Sequence, residues 1–321
     1  MKRFPLAVLT TAFALAPLLS HAQAFPEKSI TFVVPFAAGT ATDQIARALG
    51  NSITTETKQP VIIDNKAGAS GFIASQNVAK APADGYTVLI TTNTTHAANE
   101  HLFKKLPYDP VKDFAPIAAL GKGGQIMVVN PSFPAKTVAE FVALAKKEPG
   151  KYSFGSGSSS SRMAGELLQQ MADIKLLHVP YKSNTLAVTD LLGGQIHMMI
   201  TDTATGLPQV KGGKLRALGM SSASRSPLAP DVPTISEAGV KGYEMGYWFA
   251  AYAPAKTPPA VVKRLNELLV KAAKSESAKT AFYEPTGTEV FTTSPEELAK
   301  FQAGESQKWG RIVKAAGIEA E

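Results

Sequence analysis

Short β-rich runs and amphipathic helical stretches alternate along this chain, and that alternation leaves few architectures open. Residues 29–35 (SITFVVP) form a β-rich run, a loop of small residues follows, and Ile45, Leu49 and Ile53 then recur at helical spacing. Residues 60–64 (PVIID) are a second strand. A turn at 68–71 opens another helix that ends before Pro82, and residues 86–92 (YTVLITT) are a third strand behind the Asp84-Gly85 turn. The middle of the chain repeats the style. It has a strand at 125–130 (QIMVVN), a helix over 137–147 with Thr137 as N-cap three residues before Glu140, a short strand at 152–154, and a helix near 162–171. Further strands fall at 177–179, 197–200 and 215–219, and from Pro258 the chain is mainly helical, most clearly over 259–274 and 295–316. Strands that alternate with helices predict an α/β fold, a mostly parallel sheet covered by helices.

The first residues carry an export signal. Lys2 and Arg3 precede an uncharged apolar stretch at 6–19, and Ala22-Gln23-Ala24 is a small-x-small cleavage site. The apolar run is shorter than the roughly 20 residues a spanning helix needs. A signal peptide at 1–24, cut after Ala24, leaves 297 residues (321 minus 24) outside the cytoplasm, enough for two domains of ordinary size. The chain has no cysteine, which excludes disulfides, thiolate metal sites and a lipid-anchoring cysteine. Net charge falls from +7 to +5 without Lys2 and Arg3, a mild excess that suits anionic ligands. The lysines are scattered, with no basic run interleaved with aromatics, which argues against nucleic acid as a partner.

The pattern divides the remainder into two lobes. Residues 25–125 plus 248–321 form lobe one and 126–247 lobe two, so that two crossing segments make a hinge suited to closing on a ligand.

Three groups of loops offer binding chemistry. The first, residues 35–43 (PFAAGTATD), joins a strand to a helix. Its small side chains let backbone N–H groups approach a ligand, and the helix N-terminus favours an anion. Phe36, Ala38, Gly39, Thr40, Ala41 and Asp43 are its candidate residues, although helix capping by Thr42 or Asp43 explains the same pattern. The second loop, residues 155–162 (GSGSSSSR), adds hydroxyls from Ser158, Ser159 and Ser160 and the planar guanidinium of Arg162, which matches a carboxylate. The third group sits where ligands of open α/β sheets bind, beyond strand ends: Thr92 and Asn93, and Asp202 and Thr203. Helix capping is again the alternative.

Enzyme signatures are missing. The chain has no G-x-S-x-G elbow, no phosphate-binding G-x-x-x-x-G-K-[ST] loop and no G-x-G-x-x-G after a strand. His96 and His101 lack the H-E-x-x-H order of a metalloprotease and read as surface or loop residues. Asp43 and Asp202 form no spacing that demands acid–base chemistry. No cofactor or metal is expected.

A series of ordered blocks then narrows the reading. VVPFAAGTATD (33–43), NKAGASG (65–71), DGYTVL (84–89), LPYDPVKDFAPI (106–117), AGELL (164–168), HVPYK (178–182), DLLGGQI (190–196), GKLRALG (213–219), RSPLAPDVPTISEAG (225–239) and KWGRIVKAAGI (308–318) resemble the substrate-binding proteins of tripartite tricarboxylate transporters, the Bug family. The resemblance implies a two-lobed periplasmic-binding-protein fold and a small carboxylate in the cleft. It also implies that residues 36–43 hold one carboxylate and that residues 156–162 close on the ligand's other end. Thr40 stands where a second Gly is usual, Arg162 where His is common, Ser183 where Gly is frequent and His197 where an acidic residue is common. The expected function is therefore capture of a small carboxylate for membrane permease subunits of such a transporter. A permanent charge at Arg162 points to a dicarboxylate, and Phe36 inclines the choice towards an aromatic spacer. A ligand-presenting module for a membrane sensor is the alternative, and an exported hydrolase using the serines at 158–160 a more distant one.

Overall fold

The computed structural model describes residues 25–315 and 317–320, so the signal segment and the last residue of the expected 295–316 helix lie outside the described residues. Its strands are β1 (Ile30–Val34), β2 (Val61–Asn65), β3 (Thr87–Thr92), β4 (Phe114–Val129), β5 (Ser153–Ser156), β6 (Leu177–Pro180), β7 (Met198–Asp202), β8 (Arg216–Met220) and β9 (Gly246–Pro254). The helices are α1 (Ala41–Thr57), α2 (Phe72–Ala79), α3 (Asn99–Leu102), α4 (Val138–Lys147), α5 (Ser159–Ala172), α6 (Asn184–Leu192) and α7 (Thr203–Lys211), then α8 (Pro259–Ala273), single turns α9 (Glu276–Ala278) and α10 (Glu284–Thr286), and α11 (Pro295–Ala315). Among the described residues no helix is long and apolar enough to cross a membrane.

The architecture is α/β and two-lobed, and the sheet is mixed rather than mostly parallel. Strand order is β2-β1-β3-β9-β4-β7-β5-β6, with β8 also on β4. β1 pairs in parallel with β2 and β3, and β5 in parallel with β6 and β7, as strand–helix–strand units require. The two strands between these groups run antiparallel. β4 pairs with β9 from Phe114 to Gly124, then exchanges it for β7 and β8 from Gln125 to Val129. At that change Gln125 N–H donates to Ser221 Oγ (2.6 Å), Ser221 N–H to the Gln125 carbonyl (2.8 Å), and Met245 N–H to the Ser221 carbonyl (2.9 Å). The change of partners in β4 is thus tied to the residue just before β9.

Local sequence explains the elements around the cleft. In α1, Ile45, Leu49 and Ile53 bury one stripe against Phe32 and Leu265, each such side chain worth about 1.5–3 kcal/mol of burial. The helix stops at Lys58, which takes a left-handed φ of 61° while its N–H closes on Thr54. Thr137 caps α4 as expected, accepting the Glu140 N–H. α5 starts at Ser159, earlier than the run of serines suggests, because Ser158 caps it and Ser161 returns the bond to the Ser158 N–H. That shift moves Arg162 from the helix start to its fourth residue. In β9 the residues alternate between two buried faces, Tyr247 and Phe249 against α8, Trp248 and Tyr252 against α11. His96, read as a surface or loop residue, is instead completely buried and stacked on Tyr252 at 3.8 Å, and burial pulls its pKa down to about 3. His101 is half-buried and bonds Ser306 at 3.0 Å.

Candidate functional site

The loop after β1 delivers bare backbone donors to the cleft. Thr40 is the N-cap of α1, but its hydroxyl donates to the Ala37 carbonyl (2.8 Å) and caps nothing. Among the described residues, the N–H groups of Ala41, Thr42 and Asp43 find no acceptor. Asp43 faces away from the cleft and braces the loop. Its carboxylate accepts from Gly39 N–H (2.9 Å), from Asn65 Nδ2 (3.0 Å) and from Arg47 Nε (3.0 Å), and Asn65 also donates to the Phe36 carbonyl (3.0 Å). Burial raises the Asp43 pKa, but Arg47, the Gly39 N–H and Asn65 together outweigh it and hold the carboxyl below its usual range.

The other lobe answers with the N-terminus of α5. Ser158 spends its hydroxyl on the Ser161 N–H, while the N–H groups of Ser159 and Ser160 have no acceptor among the described residues. Asn184, at the start of α6, organises this corner. Its oxygen accepts from Gly157 N–H (2.9 Å) and Ser161 Oγ (3.0 Å), and its nitrogen donates to Asp202 (3.1 Å). Residue 157 has to be glycine, because a methyl group there would run into the Ser183 backbone.

Between the two helix starts lies a narrow cavity. Phe36, Thr40, Ala41, Thr92, Ser158, Ser160 and Asp202 line it, bringing together half of the fourteen residues expected from sequence. Thr42 and Gly157, inside the two expected loops, complete the wall with Gln125, Asn184, Tyr247 and Phe249, which were not foreseen. Tyr247 and Phe249 carry a sequence signal, a period-two aromatic pair, that becomes useful once β9 is recognised as a strand. Thr42 adjoins residues already singled out, whereas Gln125 and Asn184 show no local signature. Burial pushes the Tyr247 hydroxyl up to about 12, so it stays a neutral donor, bonded to Thr203 (3.1 Å) and Thr288 (2.9 Å).

The remaining expected residues lie elsewhere. Ser159 and Arg162 line a larger adjoining pocket that shares Phe36, Gly157 and Ser158 with the cavity and also holds His178 and Lys182. Arg162 Nε is 3.8 Å from Glu166, whose pKa burial raises against the pull of Arg162. Ala38 and Gly39 are exposed on the loop, and Asn93 is buried with its nitrogen on the Gly246 carbonyl (3.2 Å). Thr203 bonds Tyr247 at the cavity's edge without lining it, and Asp43 stands behind the loop. Among the described residues no Lys or Arg lines the cavity, so neutral N–H and O–H donors are its means of holding an anion. No group of side chains among them is arranged to hold a metal.

Comparison with known proteins agrees with this geometry. The family model for the tripartite tricarboxylate transporter family receptor, TctC, matches residues 45–318. The protein BugT of Bordetella pertussis is 33% identical over 314 residues, which span 97% of this chain and 95% of BugT. Among solved structures, R. palustris Rpa4515 with adipate superimposes with a TM-score of 0.89 at 33% identity, covering 92% of this chain and all of that one. MatC (Rpa3494) from Rhodopseudomonas palustris with bound malate gives 0.85 at 31% identity, over 90% and 100% of the two chains. The chain belongs to the tripartite tricarboxylate transporter receptor family, and is a periplasmic solute-binding protein rather than an enzyme.

Proposed function

We propose that this protein captures a short dicarboxylate in the closed cavity and delivers it to the membrane permease subunits of a tripartite carboxylate transporter. The observation that carries the reading is the opposition of two helix N-termini, α1 from one lobe and α5 from the other, across one cavity with unpaired N–H groups at both ends. Each end suits one carboxylate, since helix dipole and free donors act together there. The spacer lies against Phe36 and Phe249, and these apolar faces accept an aliphatic chain or a flat ring. Solved relatives with adipate and with bound malate support the class. Lobe one comprises 25–125 and 248–321 and lobe two 126–247, moving about the Gln125–Ser221–Met245 tie, so that ligand shifts an open–closed equilibrium. Arg162, in the adjoining pocket, serves ligands long enough to reach past Ser158.

A thermal-shift screen of mono-, di- and tricarboxylates tests the ligand class. At about 100 times its dissociation constant a bound ligand stabilises by about 2.7 kcal/mol. Dicarboxylates should give the largest shifts; a screen in which monocarboxylates outperform them overturns the reading. Uptake of the bound acid should be lost on deletion of the gene, and intact uptake would remove the transporter partner. Export is tested by N-terminal sequencing of the periplasmic protein, expected to begin at Phe25; retention of Met1 would contradict cleavage after Ala24.

A further inference from the structure

We infer that the cavity reads a hydroxyl group on the ligand's carbon chain, through the paired side chains of Gln125 and Asp202. The inference rests on the dicarboxylate reading and adds a requirement to it. Gln125 and Asp202 are direct partners across the antiparallel β4–β7 ladder, so their side chains leave the sheet side by side on the same face. Both line the cavity, with Gln125 1% exposed and Asp202 9%.

Their hydrogen bonding is incomplete in a way that specifies a ligand group. Asp202 accepts from Thr205 N–H (2.8 Å), Asn184 Nδ2 (3.1 Å) and Thr201 Oγ1 (3.4 Å), which leaves acceptor capacity on its carboxylate. Gln125 Oε1 is buried without a hydrogen-bond partner. A buried amide oxygen left unpaired is costly, and native structures keep few such groups without a purpose. A carboxylate could accept from the Gln125 amide nitrogen but has no hydrogen to offer Gln125 Oε1 or Asp202, so an acid group against this wall would leave both acceptors unmet. The part of the ligand facing β4 and β7 has to bring a donor. A hydroxyl fits best, because it donates to an acceptor and in turn accepts from the Gln125 amide nitrogen, whereas an ammonium only donates.

Gln125 also lies where β4 changes partners, and its backbone bonds to Ser221 survive a side-chain substitution. Gln125→Met keeps the length of the side chain and removes its polar atoms. Asp202 caps α7, so its substitution confounds recognition with helix stability and is not used.

The test is titration calorimetry on ligand-stripped wild type and Gln125→Met, with folding checked by melting temperature. The probes are succinate against 2-hydroxysuccinate, and adipate against 2-hydroxyadipate, judged on the pair whose length binds more tightly. Wild type should prefer the hydroxy acid by about tenfold or more. Gln125→Met should lose most of that preference, whatever happens to its affinity for the unsubstituted acid. Equal binding of the two acids by wild type, an undiminished preference in a folded Gln125→Met, or tighter binding of 2-aminosuccinate than of 2-hydroxysuccinate each overturns the inference and leaves the dicarboxylate reading standing. If no dicarboxylate binds, that reading has failed, and propionate against 2-hydroxypropionate then decides the inference by the same two criteria.

Discussion

The hydroxyl of Ser159, at the start of α5, donates to the side-chain oxygen of Asn99 across the cleft at 2.7 Å, with both residues buried. Asn99 is itself fixed on its own lobe, its nitrogen donating to the Ser70 carbonyl (2.9 Å) and to the Tyr108 hydroxyl (3.2 Å). On the proposed open–closed motion the bond exists when the lobes are together, and it favours the closed form. Ser159→Ala keeps the backbone N–H offered to the ligand and removes the latch. A net hydrogen bond is worth about 1 kcal/mol, so dicarboxylate affinity measured by calorimetry should fall about fivefold. Unchanged affinity would mean that the contact does not contribute to closure.

Asp43 governs the shape of the first loop without touching the cavity. Its folded pKa is depressed, so its contribution is present above the unfolded carboxyl range and is lost as pH falls through the folded value, below about pH 4. Asp43→Ala leaves the Gly39 N–H without its acceptor and Asn65 Nδ2 with the Phe36 carbonyl alone, and should cost about 1–3 kcal/mol in denaturant unfolding at pH 7. The difference from wild type should shrink steadily as pH is lowered below 4. A gap of constant size across that range would show that the carboxylate charge is not what holds the loop.

Arg162 lies outside the closed cavity, next to Glu166, so its effect should depend on ligand length. Arg162→Ala should leave a four-carbon dicarboxylate within about twofold of wild type, and weaken a six-carbon one about tenfold, because a longer acid extends past Ser158 towards the guanidinium. Equal losses for both lengths would point to a long-range charge effect instead of contact.

The outer parts of the fold were readable because their information is local. Ile45, Leu49 and Ile53 announce α1, and Thr137 followed by Glu140 announces α4 with its cap. β9 escaped because Gly246 to Pro254 is buried on both faces, so the hydrophobic alternation that marks a half-exposed strand is absent. The first half of β4 escaped for a related reason. Gly121, Gly123, Gly124 and Pro116 argue against a strand locally, and what makes it one is pairing with β9 more than a hundred residues away. The site divides the same way. Both loops could be found from small residues before helices, whereas Gln125 and Asn184 are ordinary polar residues that acquire meaning from strand register and from the approach of α6 to Gly157.

The central claim is that the cavity holds two carboxylates, one at each helix start. Titration calorimetry with the tightest-binding diacid and its two monomethyl esters tests it most directly, because an ester keeps the length and shape of the ligand while removing one charge. The account predicts that either ester binds about a hundredfold or more weakly than the diacid, since a charge-assisted bond at one end is lost and the helix terminus there is left with a poor partner. Esters that bind as tightly as the diacid would contradict it, and would leave a cavity that grips its ligand by one acid group alone.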